Sequence, residues 1–181
     1  MNAIIIIRKA ILPDNGFKNT SYIQHKTMHH RIRVAGLIHR ADEILLIQQQ
    51  DRHGVRNWSI PGGRLESTDA DIFRGVEREV WEETGLKVEA RQLRFVSEYL
   101  APDIIALTLI IECHLANDEH PDNIHLDNIM EDDNIHGVAW WPISRIRTSD
   151  EPMSQILTKQ AFWDALEQAE GMVYLGRHHD V

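Results

Sequence analysis

Arg78, Glu79, Glu82 and Glu83 are the residues in this sequence whose types and spacing most directly suggest chemistry. At 100° per residue, Glu82 and Glu83 fall about 60° and about 40° to either side of Glu79 on a helix, so the three carboxylates share one arc. Carboxylates three and four apart repel one another by a few tenths of a kcal/mol per pair on an exposed helix. Arg78 is the one cation within the run. A cluster of hard oxygen donors suits Mg²⁺ or Mn²⁺, and such an ion would cancel the repulsion. The plain alternative is a solvated acidic helix face.

The segment around these residues has the marks of a helix. Ile72, Phe73, Val76 and Val80 form an apolar stripe beside the carboxylate arc. Thr68 with Asp71 three residues later fits a capping box, and Gly85 stands where a left-handed C-cap is expected. The pattern predicts a helix from about Asp69 to Thr84, with Gly75 leaving space on the carboxylate side. Just upstream, Gly62 and Gly63 would let backbone come close to a bound group.

Composition narrows the classes. A chain of 181 residues with 43% apolar and 26% charged residues is one ordinary globular domain. Its net charge of -9 argues against nucleic acid as the main partner, and a polyanionic small molecule would need bridging metal ions. The single cysteine, Cys113, allows no internal disulfide and lies in an apolar strand-like run, where it reads as a small buried hydrophobe. The run Ile4–Ile7 is too short for a signal core or a membrane span, so a cytoplasmic protein without membrane association is expected.

Strand patterns occupy much of the rest. Arg31–His39 and Glu43–Gln49 read as a hairpin around Arg40-Ala-Asp, and Trp58 marks a short strand before the glycine pair. Lys87–Leu100 and Ile104–Ala116 form a second strand pair, the latter apolar on both faces as a covered central strand would be. Residues 117–134 form a loop with seven acidic residues and no Lys or Arg, expected to be a mobile solvated connection. Gly137–Ile143 is a further strand, and a C-terminal helix is expected from Glu151 or Ser154 to Ala169. His25, His29 and His30 lack a second ligand pair and read as surface residues.

The stretch from Pro61 to Leu86, with its Gly-Gly, Glu66 and REVWEETGL, resembles the signature of the Nudix hydrolase family, G-x5-E-x7-R-E-U-x-E-E-x-G-U, where U is aliphatic. Gly63 takes the first glycine; Arg78, Glu79, Val80, Glu82, Glu83, Gly85 and Leu86 fill the second half. The interval from Gly63 to Arg78 is one residue too long, and the middle glutamate is missing, with Asp69 or Asp71 as stand-ins. The resemblance covers residues 31–146 and leaves 1–30 as an extension of unknown role before a single domain over 31–181.

What the resemblance implies is an α+β fold, an α/β/α sandwich around a mixed sheet, and a metal-dependent hydrolase of nucleotide diphosphate linkages. Glu79, Glu82 and Glu83 would ligate Mg²⁺ or Mn²⁺, with a further carboxylate from the later loop, Glu131 or its neighbours Asp132 and Asp133. Arg78 would orient Glu79, while Gly62, Gly63, Trp58 and Arg33 would contact a small nucleotide substrate; a homodimer is compatible with this. Pro102, the sixteenth residue after Leu86, resembles a marker of ADP-ribose pyrophosphatases, although a hairpin-turn proline is equally ordinary there. Nucleoside triphosphate hydrolysis and a non-catalytic nucleotide-binding module are the alternatives. An isoprenoid diphosphate isomerase would share the fold but is poorly served by Cys113.

Overall fold

The computed structural model describes residues 28–51, 54–124, 135–168 and 171–179, with backbone alone at 178 and 179. The central strand is β1 (His29–Arg40), which alternates cation and aliphatic residue at its start and is buried on both faces from Val34 to Ile38. It begins at His29, so the last two residues of the expected N-terminal extension are already strand. Together with β2 (Glu43–Gln50) it forms the expected hairpin, but only through His39↔Ile44 and Arg40↔Glu43. Beyond that end β1 diverges. It pairs antiparallel with β4 (Gly62–Arg64) and parallel with β6 (Ile104–Leu115), while β2 pairs with β3 (Arg56–Ser59) and β7 (Ile135–Pro142). The central path runs β3-β2-β1-β6-β5-β8, with β5 at Val88–Ala101 and β8 at Val173–His179.

Helices cover both faces of this mixed sheet, giving the expected α+β sandwich. On one side α1 (Ile72–Thr84) lays Val76 and Val80 onto Val34, Ile38, Ile111 and Cys113. On the other, α2 (Ile143–Thr148) and α3 (Gln160–Glu167) bring Ile146, Phe162 and Trp163 onto Leu37, Phe95 and Ile110. The sheet therefore buries aliphatic residues on successive positions of β1 rather than on alternate ones. Cys113 is fully buried among them, and desolvation pushes its thiol up to about 12, as suits an inert core residue.

Four expectations need correction. First, α1 begins at Ile72 rather than Asp69, because Asp71, not Thr68, is the N-cap: its carboxylate accepts from the Phe73 and Arg74 amides. Second, the C-terminal helix is only Gln160–Glu167. Pro152 and Ser154 exchange backbone hydrogen bonds with Trp58, and Met153 bridges it, so 152–154 serve as extended chain and cannot start a helix. Third, β8 was not anticipated; it pairs parallel with β5, a long-range match that local patterning did not reveal. Fourth, β6 is central but covered over only part of its length: Ile110, Ile111 and Cys113 are buried, whereas Leu107 is exposed. Residues 117–124 are anchored, with Glu119 accepting from the Lys87 amide and the Pro121 carbonyl from the Trp140 indole.

Gly36 sets how closely α1 approaches the sheet. A Cβ there would stand 2.6 Å from Val80 Cγ2 and 3.4 Å from Val76 Cγ2. Gly36→Ala is expected to cost about 1–3 kcal/mol by overpacking. Adding Val80→Ala should recover part of that loss, because the second change vacates the volume the first one fills. Urea unfolding of the two variants against the parent tests this; a double variant no more stable than the single one would place the strain elsewhere.

Candidate active site

The acidic face of α1 meets the start of β4, and the meeting is backbone against carboxylate. Gly62, at φ 151, donates its amide to Glu83 Oε2 at 2.5 Å. Its missing side chain matters, since a Cβ would collide with the Val34 carbonyl oxygen. A Cβ on Gly63 would fall onto the Glu79 carboxylate, with Cδ at 2.6 Å. The two glycines thus let β4 lie directly over the helix face. Glu79 and Glu83 are both buried there, while Glu82 is partly exposed. Burial pushes the Glu79 carboxyl above its usual range, opposed chiefly by Arg78 and less strongly by Arg33.

Arg78 is the hub of the cluster. Its Nε and Nη2 each donate to Asp69 at 2.9 Å, and Nη1 donates to Glu79 at 3.0 Å and Glu82 at 2.8 Å. Nη2 also reaches the Arg64 carbonyl at 3.2 Å. This is the forked geometry that only a guanidinium offers. It decides between the two stand-ins for the missing glutamate: Asp69 faces Arg78 as a bidentate partner, whereas Asp71 is committed to the N-cap. The hydrogen bonds from Arg78 hold the Asp69 carboxyl below the usual carboxylate range. The extra residue in the signature is therefore taken up in the turn, where Asp69 also accepts from the Glu66 amide. Gly75 leaves space for this turn: a Cβ would meet Leu65 Cδ1 at 2.7 Å and Asp69 Oδ2 at 3.0 Å.

Asp69, Glu79, Glu82 and Glu83 against the one Arg78 give a donor set that is strongly anionic and made of hard oxygens, which fits a divalent cation. As arranged, the Arg78 guanidinium stands between Glu79 and Glu82, and among the described residues no three His, Cys, Asp or Glu groups are poised to share an ion. Glu131, Asp132 and Asp133 lie outside the described residues.

Beyond Gly63 a cleft of about 280 Å³ opens, lined by Arg31, Arg33, Arg64 and Tyr99. Arg33 and Arg64 are directly paired across β1 and β4, and Arg31 lies two residues along on the same face of β1. Among the described residues none of the three forms an ion pair. Arg33 and Tyr99 also border a second cavity of about 370 Å³, whose other walls include Asn57, Ser59, Thr108 and Ser154. Ser154 Oγ is buried there without a hydrogen-bond partner. Of these, only Arg33 was singled out from sequence. The alternation of Arg31 and Arg33 with Ile32 and Val34 was the available signal; the rest required the tertiary fold. Trp58, on the opposite face of β3 from Asn57 and Ser59, packs its ring 5.0 Å from Trp141 and donates Nε1 to Glu151 at 2.6 Å.

A family model described as NUDIX domain matches residues 29–161. A MutT-like protein from Streptomyces ambofaciens is 42% identical over 78 residues, 43% of this chain and 49% of that protein. Phosphatase NudJ of Escherichia coli K12 is 29% identical over 72 residues, 40% and 46% of the respective chains. The chain spans about half the length of the curated relatives it matches. Among solved structures, a NUDIX hydrolase from Nitrosomonas europaea superposes with a TM-score of 0.59 at 21% identity, covering 77% of this chain and 87% of that one. An ADP-ribose pyrophosphatase from Streptococcus suis gives 0.52 at 21% identity, covering 83% and 98%. These two likenesses are of fold.

The Arg78 network yields a stability expectation. Arg78→Ala would leave Asp69 and Glu79 covered and unpaired, at a cost of about 2–4 kcal/mol in metal-free protein. Asp69→Ala combined with Arg78→Ala should cost less than the sum of the single changes. A double-mutant cycle by chemical denaturation measures this, and strict additivity would mean that the Asp69–Arg78 fork contributes nothing to the folded state.

Proposed function

The chain belongs to the NUDIX domain family, and from that membership we propose that it hydrolyses the diphosphate linkage of a nucleoside diphosphate joined to a second group, with Mg²⁺ or Mn²⁺ as cofactor. The observation that carries this reading is the continuity of the site. Gly63 touches the Glu79 carboxylate on one side and lines the arginine cleft on the other. Phosphates held by Arg33 and Arg64 would therefore lie beside the acidic helix. A nucleotide-binding module without catalysis would have no need of all three helix carboxylates.

Each part has a distinct task in that reaction. Arg33 and Arg64 offset the charge of the diphosphate and fix its position. Bound by Glu79, Glu82 and Glu83, Mg²⁺ or Mn²⁺ would supply Lewis-acid polarisation of the phosphoryl oxygens and an acidified water. The attacking water would give its proton to a carboxylate of the helix or to Glu131 as the bridging P–O bond breaks and the leaving phosphate departs with the bridging oxygen. Arg78 acts as a positioning residue, holding Glu79 and Glu82 in register through Nη1.

The second cavity bears on the substrate. Its amide and hydroxyl lining at Asn57, Ser59 and Thr108 suits a neutral, hydroxylated or heterocyclic group attached to the phosphates. This keeps ADP-ribose or another ADP-sugar ahead of nucleoside triphosphates. Pro102 no longer contributes to that ranking, because it sits in the tight turn from β5 to β6 where proline is ordinary. Trp58, set against Trp141, supports packing rather than base stacking as its main role.

Glu82→Gln and Glu83→Gln are expected to lower turnover by about 100-fold or more, with melting temperatures within a few degrees of the parent, since loss of the metal dominates and the fold does not depend on it. Near-parental turnover in both would remove the helix carboxylates from catalysis. Chelator-stripped protein should gain thermal stability on addition of Mn²⁺ or Mg²⁺, because an ion bound only by the folded cluster stabilises it by mass action, and Glu83→Gln should respond less. Product analysis separates the substrate classes. AMP plus a sugar phosphate supports the ADP-sugar reading, whereas a nucleoside monophosphate plus pyrophosphate, at ten-fold higher kcat/KM than any ADP-sugar, overturns it.

A further inference from the structure

Arg31, Ala106 and Tyr99 stand in register across three neighbouring strands, β1, β6 and β5. Arg31 is directly opposite Ala106, Ala106 is directly opposite Tyr99, and all three line the arginine cleft. Because the middle residue is only an alanine, the two outer side chains flank a trough. At the usual strand spacing their Cα atoms are about 10 Å apart. Ile104 extends the floor outward and Thr108 inward, each two residues along β6 on the same face. Elsewhere in this fold guanidinium groups lie on rings: Arg40 over Trp140, and Arg145 over Trp141. Among the described residues, by contrast, neither Arg31 nor Tyr99 makes a ring contact, an ion pair or a side-chain hydrogen bond. Tyr99 is nevertheless half-buried and forms a wall shared by both cavities.

A planar ring midway across this trough would stand about 5 Å from each wall, a distance that suits aromatic stacking on one side and cation–π contact on the other. We infer that the trough is the base subsite of the nucleotide, with a planar heterocycle held between the Tyr99 ring and the Arg31 guanidinium, over Ala106. The inference rests on the proposed hydrolysis, because it takes Arg33 and Arg64 as the diphosphate site. Arg33 lies one row inward, about 7 Å along β1 at strand rise. That is the interval a ribose bridges between a base and its 5′-phosphate. The second cavity, beyond Arg33 and Tyr99, is then left for the group on the other phosphate. A further phosphate beside Arg31 fits less well. Ile104 and Ala106 offer an anion no side-chain donor, and the strands around them are paired within the sheet. With flat walls and few groups at the edge of a bound ring, the subsite separates a base from no base more sharply than one base from another.

Binding to metal-free protein tests the subsite apart from catalysis. Isothermal titration of the full chain, with chelator present, compares AMP, GMP, CMP and UMP with ribose 5-phosphate, their base-free counterpart. The best nucleotide is expected to bind ten-fold or more tightly than ribose 5-phosphate. Tyr99→Leu removes one wall and Ala106→Leu fills the trough; each should weaken nucleotide binding ten-fold at parental melting temperature. Tyr99→Phe should stay within two-fold of the parent. Inorganic pyrophosphate, which reads Arg33 and Arg64 alone, should bind all three variants as it binds the parent. The inference is overturned if no nucleotide binds, if ribose 5-phosphate binds as tightly as the best nucleotide, or if Tyr99→Leu and Ala106→Leu both bind nucleotides like the parent. It is also overturned if Arg31→Met weakens inorganic tripolyphosphate and leaves the nucleotides untouched, since Arg31 would then hold a third phosphate. Hydrolysis is judged separately, by turnover with metal restored. Nucleotide binding in the trough without cleavage of any diphosphate would sink the proposed reaction and keep the subsite, whereas cleavage with KM unchanged by Tyr99→Leu and Ala106→Leu would do the reverse.

Discussion

The site depends on how closely β4 can approach the acidic face of α1. Two glycines in succession make this possible, one by its backbone angle and both by the absence of a side chain. With β4 in place, the Glu83 carboxylate accepts a backbone amide and Glu79 is pressed under Gly63. Burial of this kind is costly for an ionised group, and Arg78 offsets the cost from beside the helix. The arrangement therefore stores unfavourable charge at one place. That is the condition under which a divalent ion binds with most gain.

Arg78 also explains how the signature tolerates its irregular spacing. The helix carboxylates need a fixed distance from β4, not a fixed number of intervening residues. Asp69 reaches Arg78 from the turn, and Asp71 begins the helix two residues later, so one added residue changes the turn and leaves the helix phase untouched. Gly75 lets the turn pack against the helix where any side chain would push Asp69 away.

The acidic helix, its C-cap and most strands were legible because their signals are local: a period of 3.6 or 2, a capping aspartate, a glycine stop. Thr68 and Asp71 carry the same local signal, however, and only the Arg78 fork, which assigns Asp69 to the turn, leaves Asp71 as the cap. The false start of the C-terminal helix has a similar origin. Ile156 and Leu157 fit a helical stripe, but the backbone of residues 152–154 is claimed by Trp58, almost a hundred positions earlier. β8 was invisible for the same reason, since its partner β5 lies on the other side of two strands and two helices in the chain. Long-range pairing overrides local propensity in each case.

The net charge of -9 conceals a second level of organisation. Arg31, Arg33 and Arg64 gather on one face of the β1–β4 pair while the carboxylates gather on α1 behind it, so a polyanion would meet cations before it meets the acidic helix. On that same sheet face, Ala35, Leu37, Phe95 and Ile110 form an apolar layer that divides the arginine cleft from a distal cavity lined by Arg94 and Glu112. α3 packs across this layer, with Phe162 against Phe95 and Trp163 on the wall of the distal cavity. One strand, β1, thus serves both ends of the molecule, with Arg33 at one and His39 at the other, through a middle that admits only aliphatic side chains and Gly36.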